Sequence, residues 1–268
     1  MMPGLTWRQK IPISITLMAM LCGFFSILVT MESMNEKQLV TQGMMHRWAA
    51  LLIMLAMILD GLDGNVARRL KGCTELGAEL DTYVDMTAFG IAPAVLIYVV
   101  MLTGNQPQDF NRTIWRVAMT SAVVLSGVLR LARFKVIDPN RGQHGYTGLP
   151  ITACAGWVAM LVFISQSEPF ESFSLNHGPV AMLFLAGVIS FIVLQVSQVP
   201  YPKPTKHPAL FVPMILMVCV LFVPDQRIAL PAAVIMVTLV FCYILFGPLY
   251  VRQMARRRAK AGAVGGQE

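Results

Sequence analysis

The sequence predicts an all-α integral membrane protein, a bundle of about eight transmembrane helices with both termini in the cytoplasm. Of its 268 residues, 56% are hydrophobic and only 13% are charged, and the mean hydropathy is +0.64. Ordinary soluble domains carry far more charge than this. Apolar stretches that reach the roughly 17–25 residues needed to cross a bilayer can be placed eight times.

The eight predicted helices follow one another along nearly the whole chain. They are expected near residues 11–31, 49–69, 76–103, 114–136, 149–166, 178–198, 208–224 and 228–250. The last three have indistinct borders because Pro213, Pro224 and Pro231 interrupt their apolar runs. We therefore expect one transmembrane domain over residues 1–250, followed by a basic cytoplasmic tail over residues 251–268.

The distribution of Lys and Arg predicts which helix ends face the cytoplasm, where loops of membrane proteins carry an excess of both residues. With a cytoplasmic N-terminus, sixteen of the 21 fall on the inner side and five on the outer side. This orientation fits an even number of helices in the cell membrane and places the turn after Arg68 at the cytoplasmic face. Topology and attraction to anionic lipid then explain the net charge of +7, and nucleic acid is not an expected partner.

Four carboxylates lie close together in the sequence, between strongly apolar segments. Asp60 and Asp63 are three residues apart and Asp81 and Asp85 are four apart, so each pair occupies one face of a helix. Two such helices, packed antiparallel around a short basic turn, would bring all four together. Carboxylates near hydrocarbon mark functional sites, and a cation would offset their mutual repulsion. Oxygen ligands suit Mg²⁺, Mn²⁺ and Ca²⁺.

Small residues and one arginine accompany these carboxylates. Gly64, Ala67 and Gly77 stand where a membrane helix usually carries a larger apolar side chain. They permit either close helix packing or a shelf for a ligand beside the metal ions, and the neighbouring carboxylates favour the shelf. Arg68 is either a marker of the cytoplasmic side or a clamp for a phosphate group, which a guanidinium matches in shape. This combination predicts a phosphoryl or pyrophosphoryl substrate.

The full pattern resembles the signature of the CDP-alcohol phosphatidyltransferases. That signature reads Asp-x-x-Asp-Gly-x-x-Ala-Arg-x8-Gly-x3-Asp-x3-Asp, and every fixed position is matched from Asp60 to Asp85. Members of the family join a CDP-linked lipid or alcohol to an acceptor hydroxyl and release CMP. The resemblance implies that the four aspartates hold two Mg²⁺ or Mn²⁺ ions and that Asp85 is also the base. The small residues and Arg68 would contact the nucleotide and its phosphates.

Further segments resemble one branch of that family, the phosphatidylserine synthases. These segments are Thr87–Ala94, Arg130–Phe134, Gly148–Pro150 and Val199–Lys203. The branch implies CDP-diacylglycerol and L-serine as substrates, a homodimer among membrane lipids, and eight helices rather than six.

Serine must be recognised through its carboxylate and its ammonium group. Arg130 and Arg133 are three residues apart at the inner end of the fourth predicted helix, which makes them candidates for the carboxylate. The alternative is that both arginines only anchor this helix end at the cytoplasmic face of the membrane. Thr87 and Tyr146 are further candidates, as hydrogen-bonding residues near the pocket.

The chain departs from the family pattern in its first helix. There the family often has Pro-Asn-x-x-Thr-x-x-Asn, and this chain matches Pro12 and Thr16 but has Ile13 and Ala19 where asparagines are expected.

Several alternative functions stay open from the sequence. Within the family, the acceptor could be glycerol 3-phosphate, inositol phosphate or choline, and the donor could carry archaeal-type lipid tails. From other classes come a divalent-cation transporter, since intramembrane carboxylates also mark ion pathways, and a non-catalytic membrane scaffold.

Overall fold

The part of the chain that the structure describes is almost entirely helical. This computed structural model describes residues 5–102, 110–137, 146–168, 175, 178–202, 208–223 and 225–264. Its helices are α1 (Trp7–Glu32), α2 (Leu39–Leu70), α3 (Glu75–Val84), a π-helical segment (Asp85–Ile91), α4 (Ala92–Leu102), α5 (Phe110–Ile137), α6 (Ile151–Ser165), α7 (Gly178–Val196), α8 (Pro208–Leu221) and α9 (Gln226–Val264). Two short strands, β1 (Tyr146–Thr147) and β2 (Pro200–Tyr201), pair antiparallel. The predicted all-α class is confirmed.

Each of the eight predicted transmembrane stretches coincides with a helical part of the structure. The third stretch corresponds to α3, the π-helical segment and α4, which follow one another without a break. Among the described residues, six of these helices are long and apolar enough to cross a membrane. The chain is therefore an integral membrane protein. The other two, α6 and α8, have only 15 and 14 residues.

The short helix α6 lies inside the bundle. Eleven of its residues are buried, and α2, α4, α7 and α9 pack around it. Because other helices rather than lipid surround it, α6 does not need to match the full thickness of the hydrocarbon layer.

Two of the three prolines that made the last predicted borders indistinct lie inside helices and do not end them. Pro213 lies within α8 and Pro231 within α9, as membrane helices tolerate when neighbouring groups satisfy the freed backbone. Pro224 lies outside the described residues, between the two helices. Helix α9 also continues to Val264, so the basic segment after residue 250 begins as a helical extension of the last span.

Helix α1 is the element against which the acidic region is assembled. It packs along α2, α3, the π-helical segment and α4. Two of these contacts bring backbones together at glycines: a Cβ added to Gly23 would lie 2.6 Å from the Cα of Ala88, and one added to Gly72 would lie 2.1 Å from the Arg8 carbonyl oxygen. Pro12 lacks the N–H that would bond the Arg8 carbonyl in an unbroken helix, and that carbonyl faces the turn after α2.

Gly23→Ala should destabilise the protein, because the new methyl group would overlap the backbone of the π-helical segment. Overpacking of this kind typically costs about 1–3 kcal/mol. The measurement is the thermal unfolding midpoint in detergent. Gly90→Ala is the matched control, since a Cβ there would lie 3.5 Å from the Met86 sulfur, which is an ordinary contact. Equal midpoints for the two variants would contradict the close α1 contact.

Candidate active site

A tight turn between α2 and α3 creates the hairpin that carries the four aspartates. Lys71 adopts a left-handed conformation with φ of 53°, and the Gly72 N–H donates to the Ala67 carbonyl at 2.9 Å. These features form the helix-ending arrangement in which the backbone reverses after the last turn. Thr74 then caps α3, because its hydroxyl accepts the Gly77 N–H at 3.0 Å. The chain thus folds back at once and α3 returns beside α2.

Three of the four predicted carboxylates meet across this hairpin. Ligand oxygens of Asp60, Asp63 and Asp81 all lie within 4.8 Å of one another. Asp60 and Asp81 are close enough to share a hydrogen bond, and Asp63 is only 5% exposed. A cluster that offers only carboxylate oxygens, at this mutual distance, fits a hard divalent cation such as Mg²⁺ or Mn²⁺.

Asp85 lies outside that group of three but next to it. Its charge interacts with those of Asp60 and Asp81. Arg130 of α5 is 7% exposed and close enough to Asp85 for the two opposite charges to interact. Asp85 therefore has both carboxylates and a buried guanidinium as neighbours.

The π-helical segment begins at Asp85 and ends at Ile91, within a stretch for which a regular helix was expected. Such segments are rare and occur frequently at functional sites. Thr87 lies in this segment, where its hydroxyl donates to the Tyr83 carbonyl at 2.9 Å.

Arg68 projects from α2 beside the cluster. Its guanidinium donates to the Asn65 side chain at 2.9 Å, and Asn65 in turn donates to the Gly61 carbonyl at 2.7 Å. A Cβ at Gly64 would lie 3.5 Å from that guanidinium, which is an ordinary van der Waals contact, so the packing around Arg68 does not itself require a glycine.

Gly77 is in a more crowded place than Gly64. A Cβ there would lie 3.1 Å from the Thr74 hydroxyl and 3.8 Å from the Ile13 side chain of α1. The contacts at Gly77 therefore serve the α3 cap and the packing of α3 on α1. Ala67 contributes its carbonyl to the turn, as described above.

Arg133 has a different environment from Arg130. Its guanidinium donates to four carbonyls, at 2.6 Å to Val196, 2.9 Å to Thr147, 2.9 Å to Ser197 and 3.3 Å to Gln195. These bonds tie the end of α5 to the C-terminus of α7 and to β1. Arg133 thus bonds backbone carbonyls and holds these elements together. For Tyr146, the backbone lies in β1, and its side chain lies outside the described residues.

A profile of the CDP-alcohol phosphatidyltransferase family matches residues 9–193, a stretch that contains the four aspartates, Arg68, Arg130 and Arg133. This chain belongs to that family.

Curated relatives carry a more specific name. The CDP-diacylglycerol–serine O-phosphatidyltransferase of Helicobacter pylori is 32% identical over 58% of this chain and 60% of its own length. The Methanocaldococcus jannaschii protein of the same name is 34% identical over 57% of this chain and 62% of its own. The archaetidylserine synthase of Methanothermobacter thermautotrophicus is 32% identical over 68% and 64%. The chain thus spans less than two thirds of each of these relatives.

Two contacts near the acidic cluster were not predicted from the sequence. The Thr16 hydroxyl of α1 donates to the Asp63 carboxylate. Lys135 at the end of α5 pairs with Glu79 of α3 at 2.6 Å. The match of Pro12 and Thr16 to the family pattern was the available signal for the first contact, whereas nothing local in the sequence indicates the second.

Arg133→Ala should lower stability markedly, because it removes donors from four carbonyls at the junction of α5, α7 and β1. Each hydrogen bond to a charged group contributes about 1.5–3 kcal/mol, although the contributions of several such bonds do not simply add. The measurement is the thermal midpoint in detergent. Lys135→Ala is the control: it removes the same charge from the same helix end but breaks only an exposed ion pair, worth about 0–1 kcal/mol. A midpoint for Arg133→Ala as high as that of the control would contradict the anchoring role.

Proposed function

We propose that the protein transfers the phosphatidyl group of CDP-diacylglycerol to the hydroxyl of L-serine, giving phosphatidylserine and CMP. The observation that carries the proposal is the cluster of Asp60, Asp63 and Asp81, with oxygens within 4.8 Å, in a chain of the CDP-alcohol phosphatidyltransferase family. The names of the relatives in Helicobacter and Methanocaldococcus support serine as the acceptor.

The carboxylate cluster would hold the metal ions. Asp60, Asp63 and Asp81 supply the ligands, with Asp85 as a fourth at the edge, and we propose two ions of Mg²⁺ or Mn²⁺. When bound, these ions would neutralise the pyrophosphate of the donor and stabilise the departing CMP.

Residues on α2 would position the donor. Arg68 is held beside the cluster by Asn65, so its guanidinium can bind phosphate oxygens from a defined direction. Gly64, Ala67 and, on α3, Gly77 would give the nucleotide a lining of small residues. The diacylglycerol tails would remain in the hydrocarbon layer.

Arg130 and Asp85 together would position the acceptor. If Arg130 binds the serine carboxylate, the serine hydroxyl comes to lie beside Asp85, because the two side chains are close enough for their charges to interact. Thr87 lies two residues further on, and its hydroxyl oxygen can still accept a hydrogen bond from the serine ammonium. Since the Arg133 guanidinium already serves four carbonyls, the proposal assigns the carboxylate to Arg130.

The reaction is a direct displacement at the lipid-side phosphorus. Asp85 takes the proton of the serine hydroxyl, whose oxygen forms the new bond to phosphorus, and the bond from phosphorus to the oxygen of CMP breaks. A carboxylate is a weak base, so the alignment of hydroxyl, phosphorus and leaving group must contribute much of the rate.

We further propose that the site faces the cytoplasm in the inner membrane and that the protein is a homodimer. The basic turn after Arg68 and the sixteen inner Lys and Arg residues support the orientation. The diacyl donor is favoured over a diether donor by the names of most relatives, whereas the Methanothermobacter relative is named for an archaeal lipid.

The test is CMP release by purified protein in detergent with CDP-diacylglycerol and Mn²⁺ or Mg²⁺. It is run with serine, with glycerol 3-phosphate and with neither acceptor, alongside Asp85→Asn. We expect release that requires serine and metal and that falls by at least about 10²-fold in the variant, as for loss of a general base. CMP release only with glycerol 3-phosphate would overturn the assignment of serine as the acceptor. No release, together with metal flux into proteoliposomes, would favour the transporter.

Arg130→Gln should raise the KM for serine by about 10-fold or more, since a charge-assisted hydrogen bond to the serine carboxylate is lost. The KM for CDP-diacylglycerol should change little. The measurement is a pair of saturation curves, one for each substrate, with Lys135→Gln as the control for loss of a basic residue on α5. Equal changes in both KM values would contradict the assignment of Arg130 to serine.

A further inference from the structure

We infer that Thr16 of α1 is a positioning residue that orients the Asp63 carboxylate for metal binding. The inference rests on the metal-dependent activity proposed above. Its basis is the hydrogen bond from the Thr16 hydroxyl to Oδ2 of Asp63, which joins two side chains that are 4% and 5% exposed.

The hydroxyl of Thr16 has two acceptors within reach but only one proton to donate. One acceptor is Asp63, and the other is the Pro12 carbonyl of its own helix, at 3.0 Å. An ionised carboxylate is the stronger acceptor of the two. The proton therefore goes to Oδ2, and this fixes the plane in which the Asp63 carboxylate lies.

The donor comes from outside the hairpin that bears the aspartates. Helix α1 contains no aspartate, whereas Asp60, Asp63 and Asp81 all belong to α2 and α3. Oδ2 is held by Thr16. Lone pairs remain on both oxygens for a metal ion, because a carboxylate accepts about four hydrogen bonds or ligands in all.

The position of Thr16 is restrained by two contacts that α1 makes before this residue. One turn earlier, Ile13 packs against Gly77, and near the start of α1 the Arg8 carbonyl lies against Gly72. Both contacts pack α1 against the hairpin of α2 and α3, close to the carboxylate cluster. Because α1 cannot slide without breaking them, the hydroxyl of Thr16 acts as a fixed support for Asp63.

Loss of the hydroxyl should weaken metal binding without removing any ligand. Side chains that hold a metal ligand in place typically contribute about 10–100-fold to metal affinity. Thr16→Val keeps the shape of the side chain and removes the donor, so we expect Mn²⁺ affinity to fall by about 10-fold or more. Thr16→Ser keeps the hydroxyl and should restore most of that affinity.

The experiment is a Mn²⁺ titration followed by electron paramagnetic resonance, on purified full-length protein in detergent without substrate. It compares the unsubstituted protein with Thr16→Val, Thr16→Ser and Thr30→Val. Thr30 is the matched control, because its hydroxyl is also buried in α1 but donates to the Ser26 carbonyl at 2.7 Å, far from the cluster. Thermal midpoints are recorded for every variant.

Weak Mn²⁺ binding by Thr16→Val alone, with a midpoint similar to that of Thr30→Val, would support the inference. If Thr16→Val binds Mn²⁺ as tightly as the unsubstituted protein, or if Thr30→Val loses affinity equally, the positioning role is overturned while the proposed metal site stands. If the unsubstituted protein binds no Mn²⁺, the metal site itself is overturned, and the inference with it.

Discussion

Holding like charges next to one another is the constraint on which the rest of this structure depends. The carboxylates of Asp60, Asp63 and Asp81 lie within 4.8 Å of one another, with Asp63 buried and Asp81 at the open side of the cluster. Charges at such distances repel strongly where water is scarce. The fold must therefore hold them together mechanically, through the hairpin of α2 and α3 and through α1 packed across it. Cations supplied from outside would then relieve the repulsion that the fold imposes.

The same constraint explains why the surroundings of the cluster are so closely packed. Gly23 and Gly72 let α1 approach the backbones of the π-helical segment and of the turn after α2. Small residues at helix interfaces are the usual means of bringing membrane helices together, because lipid provides no hydrophobic force between them. Buried Arg130 provides positive charge next to Asp85.

Much of the fold could be predicted from the sequence because it depends on local patterns. The length of each apolar run predicted the helices, and the spacing of Asp60, Asp63 and Asp81 predicted that they share facing surfaces of two helices. The π-helical segment at Asp85 could not be predicted, since its sequence is as helical as its neighbours. The carbonyl partners of Arg133 lie 14 to 64 residues away in the chain, and the donor to Asp63 lies 47 residues away. Such contacts depend on how helices cross, which periodicity does not reveal.

The second acceptor of Thr16 matters before the bundle exists. Helix α1 precedes α2 in the chain, so it is complete while α2 is still being made. In that interval Asp63 is absent, but the Pro12 carbonyl lies one turn away in the same helix, 3.0 Å from the hydroxyl in the finished structure. A threonine can donate to such a carbonyl without help from another helix. The segment can thus insert with its hydroxyl satisfied, and the hydroxyl can donate its hydrogen bond to the carboxylate once the hairpin is in place.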